Sequence, residues 1–411
     1  MRSAGTRVAM VSMHTSPAAP AGSRDSGGMN VLLLELAREL ACHGVEVDLI
    51  TRAEGVPSTT ILSPGVTLHE LAAGGPGPIR KEALPSVSDE FGEAVARLGR
   101  TGPGFDVVHA HYWISGIATL PVALELGIPF VQSFHTVGAM KNRTLAAAQA
   151  AEPELRLRSE GFLAMQANAI IAGSAAEATS LIDDVRAPAD RIWVIPPGVD
   201  IGLFTRARAA TADAAVRAEY GIASGTPVIT VAGRVQPLKD QALAIHTLAE
   251  LHLAGEWTPT LVIAGECTPG DDGYLEELAE LAHNLGMGSR VRFAGALSRE
   301  RLADLFAVSS VTLLPSHSET FSLVALESAA SGTPVVGFRG TGLLESVADG
   351  VSGVLVDSRD PLDWAVATSA LLRGDREAAA SAARRHAEGY TWAATAAATL
   401  AVYGSLAVPA V

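Results

Sequence analysis

Two cations, Arg234 and Lys239, and two carboxylates, Glu319 and Glu327, are the residues of this chain whose types and spacing carry the clearest chemistry. Arg234 and Lys239 stand in VAGRVQPLKDQ, at the end of an apolar run that reads as a strand. Fixed positive charge there suits a departing diphosphate, because it stabilises the developing charge without a metal. Glu319 and Glu327 lie eight residues apart in LLPSHSETFSLVALESAASGTPVV, across the start of a helix. If that helix starts near Phe321, the positive end of its dipole faces the same diphosphate. Glu319 then suits sugar hydroxyls and Glu327 ribose hydroxyls. The apolar neighbours Val324, Ala325, Leu326 and Ala329 argue against a surface position for Glu327.

Other polar residues cluster where strands should end. Gly27 and Gly28 open a helix after a long first turn; the free N–H groups of a helix start attract an anion. A GxGxxG fingerprint directly after the first strand is missing, which disfavours a dinucleotide site. His135 and Thr136 end a strand in SFHTVGAMKN and would face the cleft of an open α/β sheet. HAHYWISG puts His109 and His111 on one side of a strand, without a third ligand at metal-site spacing. There is no D-x-D motif, so no metal ligand is assigned and no cofactor is expected beyond a sugar nucleotide as co-substrate.

These residues need a scaffold of parallel sheets. At 411 residues the chain exceeds one core and suggests two domains. Hydrophobic residues at 48% and charged residues at 18% fit a packed α/β protein. Strand runs are expected at residues 8–11, 45–51, 107–111, 130–134, 170–172 and 192–195. A second series falls at 228–232, 261–264, 291–293, 311–314, 333–336 and 353–356. Helical periodicity runs between them, as in 28–43, with Met29, Leu32, Leu33, Leu36 and Leu40 on one face. Continuous apolar strands separated by helices imply doubly wound parallel sheets covered on both faces. The pattern runs twice. We therefore expect an acceptor-binding domain over 1–205, a nucleotide-sugar-binding domain over 206–388, and a closing helix over 389–411 that crosses back. The Gly/Pro-rich segment 74–78, with Pro85, reads as a mobile loop.

Composition excludes several classes. A net charge of −14 argues against general nucleic-acid binding. No stretch approaches the roughly 20 apolar residues of a membrane span, and the start has too short an apolar run for a signal peptide. Only Cys42 and Cys267 are present, which points to a reducing cytoplasm. A homodimer is left open.

At Glu319-x7-Glu327, with GTPVV following, the chain resembles the retaining glycosyltransferases of family four, which have the GT-B fold. Within it the chain is most similar to the mycothiol-pathway branch, the D-inositol-phosphate N-acetylglucosaminyltransferases. The segments HTSP, GGMNV, KEALP, HYWISG, MKN and GRVQPLK carry that likeness, which spans nearly the whole chain. The resemblance implies that Gly27, Gly28, Arg234, Lys239, Glu319, Thr320, Phe321, Ser322, Leu323 and Glu327 hold the donor. It implies that His135 contacts the donor sugar, and that Lys81, Tyr112, Thr136 and Arg156 cradle an acceptor phosphate. His14 and Asn30 would join the acceptor. A UDP-sugar is the favoured donor and a GDP-sugar the alternative.

The donor half departs from that pattern. Ser322 stands where the family has glycine, Asp240–Gln241 replaces Ala–Pro, and IAGECTPGDDG replaces a Gly-rich turn. A side chain at 322 would crowd or hydrogen-bond the sugar. A second reading is therefore an actinomycete natural-product transferase of lincosamide type, with an unusual nucleotide sugar and a small-molecule or thiol acceptor. A third is a GT-B-fold sugar-nucleotide epimerase or a non-catalytic binder, which an acceptor cradle disfavours.

Overall fold

The computed structural model describes residues 5–19, 27–145, 150–267, 272–340 and 342–406. The turn 263–273 and the first βα turn lie partly outside these residues, as does the end of the closing segment, 407–411. Among the described residues, eight strands form the first sheet: β1 (Arg7–Val11), β2 (Glu46–Arg52), β3 (Ser58–Ser63), β4 (Val66–Leu71), β5 (Val107–His111), β6 (Phe130–Ser133), β7 (Ala169–Ala172) and β8 (Ile192–Val194). Their order is β3-β4-β2-β1-β5-β6-β7-β8. Six more form the second: β9 (Val228–Ala232), β10 (Thr260–Ala264), β11 (Val291–Gly295), β12 (Val311–Leu314), β13 (Val335–Phe338) and β14 (Gly353–Val356). Their order is β11-β10-β9-β12-β13-β14.

Both sheets reverse their winding next to their first strand, between β1 and β5 and between β9 and β12. The loops after such strands splay apart and leave a crevice at the carboxyl ends. The strands flanking each switch are buried, which is why they read as unbroken apolar runs.

Two strands escaped the apolar-run criterion. β3 pairs antiparallel with β4, so the first sheet is mixed, not wholly parallel. Its residues STTILS are mostly exposed and β-branched, a sheet edge with no core to face. β13 begins two residues later than expected. Thr333 instead donates its hydroxyl to Phe306 O at 2.6 Å, and Pro334 has no N–H for a ladder. The segment 74–78 is pinned by Arg52, whose guanidinium donates to Ala73 O at 3.2 Å and Gly77 O at 2.6 Å. Pro85 lies in a short 3-10 helix, Lys81–Val87.

The chain leaves the first sheet through Pro196–Val199, and the closing segment returns to the same place. Val199 N donates to Tyr390 O at 3.0 Å, and Thr395 Oγ1 donates to Pro196 O at 2.8 Å. Gly198 permits this approach, since a Cβ there would lie 2.3 Å from the backbone nitrogen of Trp392. The helix Trp392–Leu406 then buries Ala396, Val402 and Tyr403 in the core of the first sheet.

Candidate active site

A cavity of about 320 Å³ lies between the carboxyl ends of the two sheets. Every expected site residue lines it except Arg156.

On the second sheet's side, Arg234 and Lys239 follow β9. Gly233 adopts φ 147°, and Gly265 has no room for a side chain, because a Cβ would lie 2.0 Å from Gly233 O. These two glycines bring the ends of β9 and β10 together and set the turn that carries the cations. Asp240, at φ 47°, caps the helix Gln241–Leu253 and is paired with Arg359 and His317, which pins the turn. Gln241 Nε2 donates to Arg234 O at 2.9 Å. Lys239 Nζ donates to Glu319 Oε1 at 2.6 Å.

The helix expected near Phe321 begins at Leu323 and runs to Ala330. Its N-cap is Ser322, whose Oγ accepts from Ala325 N at 3.3 Å. The Ser322 side chain thus caps the helix and also borders the cavity, with its O–H still available to a ligand. Glu327 is 6% exposed. Burial pushes its carboxyl up to about 7, with Arg299 opposing and Glu35 and Asp200 reinforcing the shift.

On the first sheet's side, Lys81 Nζ sits 4.5 Å above the Tyr112 ring, and the His14 ring lies 4.5 Å from it. Tyr112 has φ 73°, a conformation that turns the chain sharply out of β5 into the helix Trp113–Leu126. Asn30 is buried, and its amide binds Gly27 N, Thr15 Oγ1 and Ser16 O, so it holds the loop entering the first helix. Arg156 lies behind Thr136, 3% exposed. Its guanidinium donates to Glu160 at 2.7 Å, Glu152 at 2.8 Å and Thr136 O at 2.8 Å. The residue expected on the acceptor phosphate thus holds Thr136 from behind and does not line the cavity.

His135 sits at φ 61° and is tethered from several sides. Its Nε2 lies 2.8 Å from His111 Nδ1, and its carbonyl accepts from Thr320 Oγ1 of the second sheet's layer. Among the described residues, the buried His111 Nε2 has no partner. An unpaired buried N–H is the rarer and costlier orphan, which puts the His111 proton on Nδ1 and leaves His135 protonated on Nδ1. Burial lowers His135 to about 4 and His109 to about 3, and drives His14 and His111 well below the usual range. These rings are neutral at pH 7. His109 bonds Tyr403 OH at 2.7 Å and Ser133 Oγ at 3.0 Å.

Several lining residues were not anticipated: Lys141, Glu177, Gln236 and Arg299. Glu177 had a signal, because Ser174-x-x-Glu177 has the capping-box sequence, although its carboxylate reaches Gly173 N in place of the N-cap's own N–H. Its Oε2 accepts from Gly173 N at 2.7 Å, and its backbone N–H donates to Ser174 Oγ at 3.0 Å. Burial raises its carboxyl to about 7. Arg299 follows an N-cap serine and nothing local marks it. Among the described residues, no group of three or more His, Cys, Asp or Glu is arranged to hold a metal ion.

Residues 26–203 match the family model Glycosyltransferase Family 4, and residues 213–387 match Glycosyl transferases group 1. A protein of Thermobifida fusca named D-inositol 3-phosphate glycosyltransferase is 39% identical over 97% of this chain and 93% of its own length. One of the same name from Xylanimonas cellulosilytica is 40% identical over 97% of this chain and 96% of its own. Among solved structures, sucrose-phosphate synthase from Thermosynechococcus elongatus superposes with a TM-score of 0.87 at 28% identity, covering 98% of this chain and 99% of that one.

Proposed function

The chain belongs to family 4 of the glycosyltransferases, with the GT-B fold, and from that premise we propose that it transfers a sugar from a UDP-sugar resembling UDP-GlcNAc to inositol phosphate, with retention of configuration. The observation that carries this reading is the convergence of two unlike walls on one cavity. Arg234, Lys239, Glu319 and Glu327 stand on the wall after β9 and β12, and Lys81, Tyr112 and Thr136 on the wall of the first sheet.

In this mechanism the diphosphate lies against Arg234, Lys239 and the helix starts at Gly28 and Leu323. The C1–O bond to the diphosphate breaks as the acceptor hydroxyl forms its bond to C1 on the same face. The hydroxyl proton passes to the departing phosphate oxygen, so no protein nucleophile takes part. Neutral His135 offers a hydrogen bond to the sugar, Glu319 accepts from its hydroxyls, and Glu327 accepts from the ribose. Contacts across the cleft, such as Thr320 to His135, limit water at the reacting carbon.

One observation favours a second reading, a natural-product transferase with an unusual nucleotide sugar, GDP-linked in one version, and a thiol or other phosphate-free acceptor. Arg156 is bound by Glu152 and Glu160, and Lys141 by Glu152, which leaves the cradle with less positive charge for a phosphate. The deciding assay supplies UDP-GlcNAc with and without inositol phosphate. The first reading expects UDP release only when both are present. Turnover with another nucleotide sugar or a thiol, and none with that pair, would transfer the assignment to the second. Isomerisation of the sugar nucleotide alone would instead mark an epimerase.

A further inference from the structure

Arg299 opens the helix Arg299–Val308 and lines the cavity. Its Nη1 donates to Glu35 Oε1 at 2.7 Å, and Glu35 belongs to the helix Gly28–Cys42 on the opposite side of the cleft. Its Nη2 lies 3.8 Å from Glu327 Oε1. The guanidinium carbon also sits 5.5 Å from the Phe204 ring centroid, in the connection between the sheets. One planar cation thus joins a carboxylate of the first sheet's layer to a buried carboxylate of the second. Glu35 itself is not part of the cavity lining.

We propose that Arg299 is a positioning residue that couples the hold of Glu327 on the nucleotide ribose to the contact between the two sheet layers, with Glu35 orienting the guanidinium from across the cleft. The proposal rests on the reading of Glu327 as the ribose carboxylate. The physical reason is the state that ribose recognition requires. Two hydroxyl donors need an ionised carboxylate, which only accepts, and a protonated carboxyl offers one acceptor fewer. Burial favours the protonated form of Glu327, and the charged groups facing it are Arg299, Glu35 and Asp200. Only Arg299 among them favours ionisation. A guanidinium presents a rigid fork, so fixing one edge on Glu35 fixes the other edge toward Glu327.

The test measures affinity for UDP and for GDP by calorimetry in wild type, Glu35→Gln, Arg299→Met, the double variant and Glu327→Gln. Glu35→Gln is expected to weaken binding about twofold to fivefold although it does not border the ligand. That range reflects a part-exposed ion pair. Arg299→Met should weaken binding at least as much, and the double variant no further, because both act through one contact. The pH response separates coupling from mere loss of structure. Without Arg299 the Glu327 carboxyl titrates still higher, so the Arg299→Met deficit should shrink as pH rises to about 9. Arg299→Lys keeps the charge without the fork, and should fall between wild type and Arg299→Met even if the latter folds poorly. Wild-type affinity in Glu35→Gln, or losses that multiply in the double variant, would overturn the coupling. If Glu327→Gln weakens binding and Glu35→Gln does not, the ribose reading stands and the coupling falls. If Glu327→Gln binds like wild type, the ribose reading itself falls.

Discussion

Lys239 Nζ and Glu319 Oε1 lie 2.6 Å apart, joining two motifs 80 residues apart in sequence. Both side chains are mostly shielded from solvent, at 22% and 12% exposure. Each holds the other at the cavity wall, so the cation and the carboxylate are positioned before any ligand arrives. Preorganisation of this kind gives a charged group its effect on a developing anion, because nothing has to reorient as the bond breaks.

Lys239→Ala should therefore lower kcat by about 10²–10³, the usual cost of losing one preorganised contact to a developing charge. Steady-state kinetics with the turnover-competent sugar nucleotide reads this directly. A kcat equal to wild type would remove Lys239 from the leaving group. Lys239→Arg restores the charge in a different shape and should recover part of the loss.

Much of this site was legible because it sits where chain geometry leaves little choice. Strand-end residues such as His135, Arg234 and Thr136 follow buried apolar runs, and buried runs are conspicuous in sequence. The β3–β4 hairpin was not legible, because STTILS faces solvent and carries no core pattern. Likeness alone puts Arg156 on a phosphate, while its partner Glu160 lies one turn further along the helix Glu154–Gln166 and Glu152 just before that helix begins. The spacing to Glu160 was readable as a helical ion pair. Arg299 was beyond reach, since its partners Glu35 and Glu327 meet it only after both sheets have folded and faced each other.

Arg156→Met tests the bracing role. Removing one partner of a buried ion-pair cluster leaves Glu160 and Glu152 without their shared cation, and breaking such a cluster costs about 3–5 kcal/mol. Chemical denaturation should show a loss of that order. A variant as stable as wild type, with only its acceptor KM raised, would instead return Arg156 to direct phosphate contact.

Glu177 gives a prediction with a definite sign. Its folded carboxyl is raised to about 7 from an ordinary 4.5, so the folded state holds the proton more tightly than the unfolded state. Its contribution to stability is complete below pH 4.5 and is lost as pH rises through about 7. Glu177→Gln keeps an acceptor for Gly173 N and removes the titration. The difference in Tm between variant and wild type should thus move in the variant's favour between pH 4.5 and 8. A difference independent of pH would show that the carboxyl ionises normally.

The histidines titrate in the opposite sense. Burial drives His111 well below 6.5, so the unfolded state binds the proton first. Stability from this group is complete above pH 6.5 and declines as pH falls below it. His111→Asn substitutes an amide N–H close to the position of Nδ1, keeping a donor for His135 Nε2 without a titrating ring. It should retain most of kcat and lose part of the wild-type fall in Tm between pH 7 and 5. His111→Leu removes the donor too, so His135, held at φ 61°, loses a tether and its fixed tautomer. The Leu variant should lower kcat well below the Asn variant at equal thermal stability. Equal kcat in the two would show that the hydrogen bond between the rings does not orient His135 for catalysis.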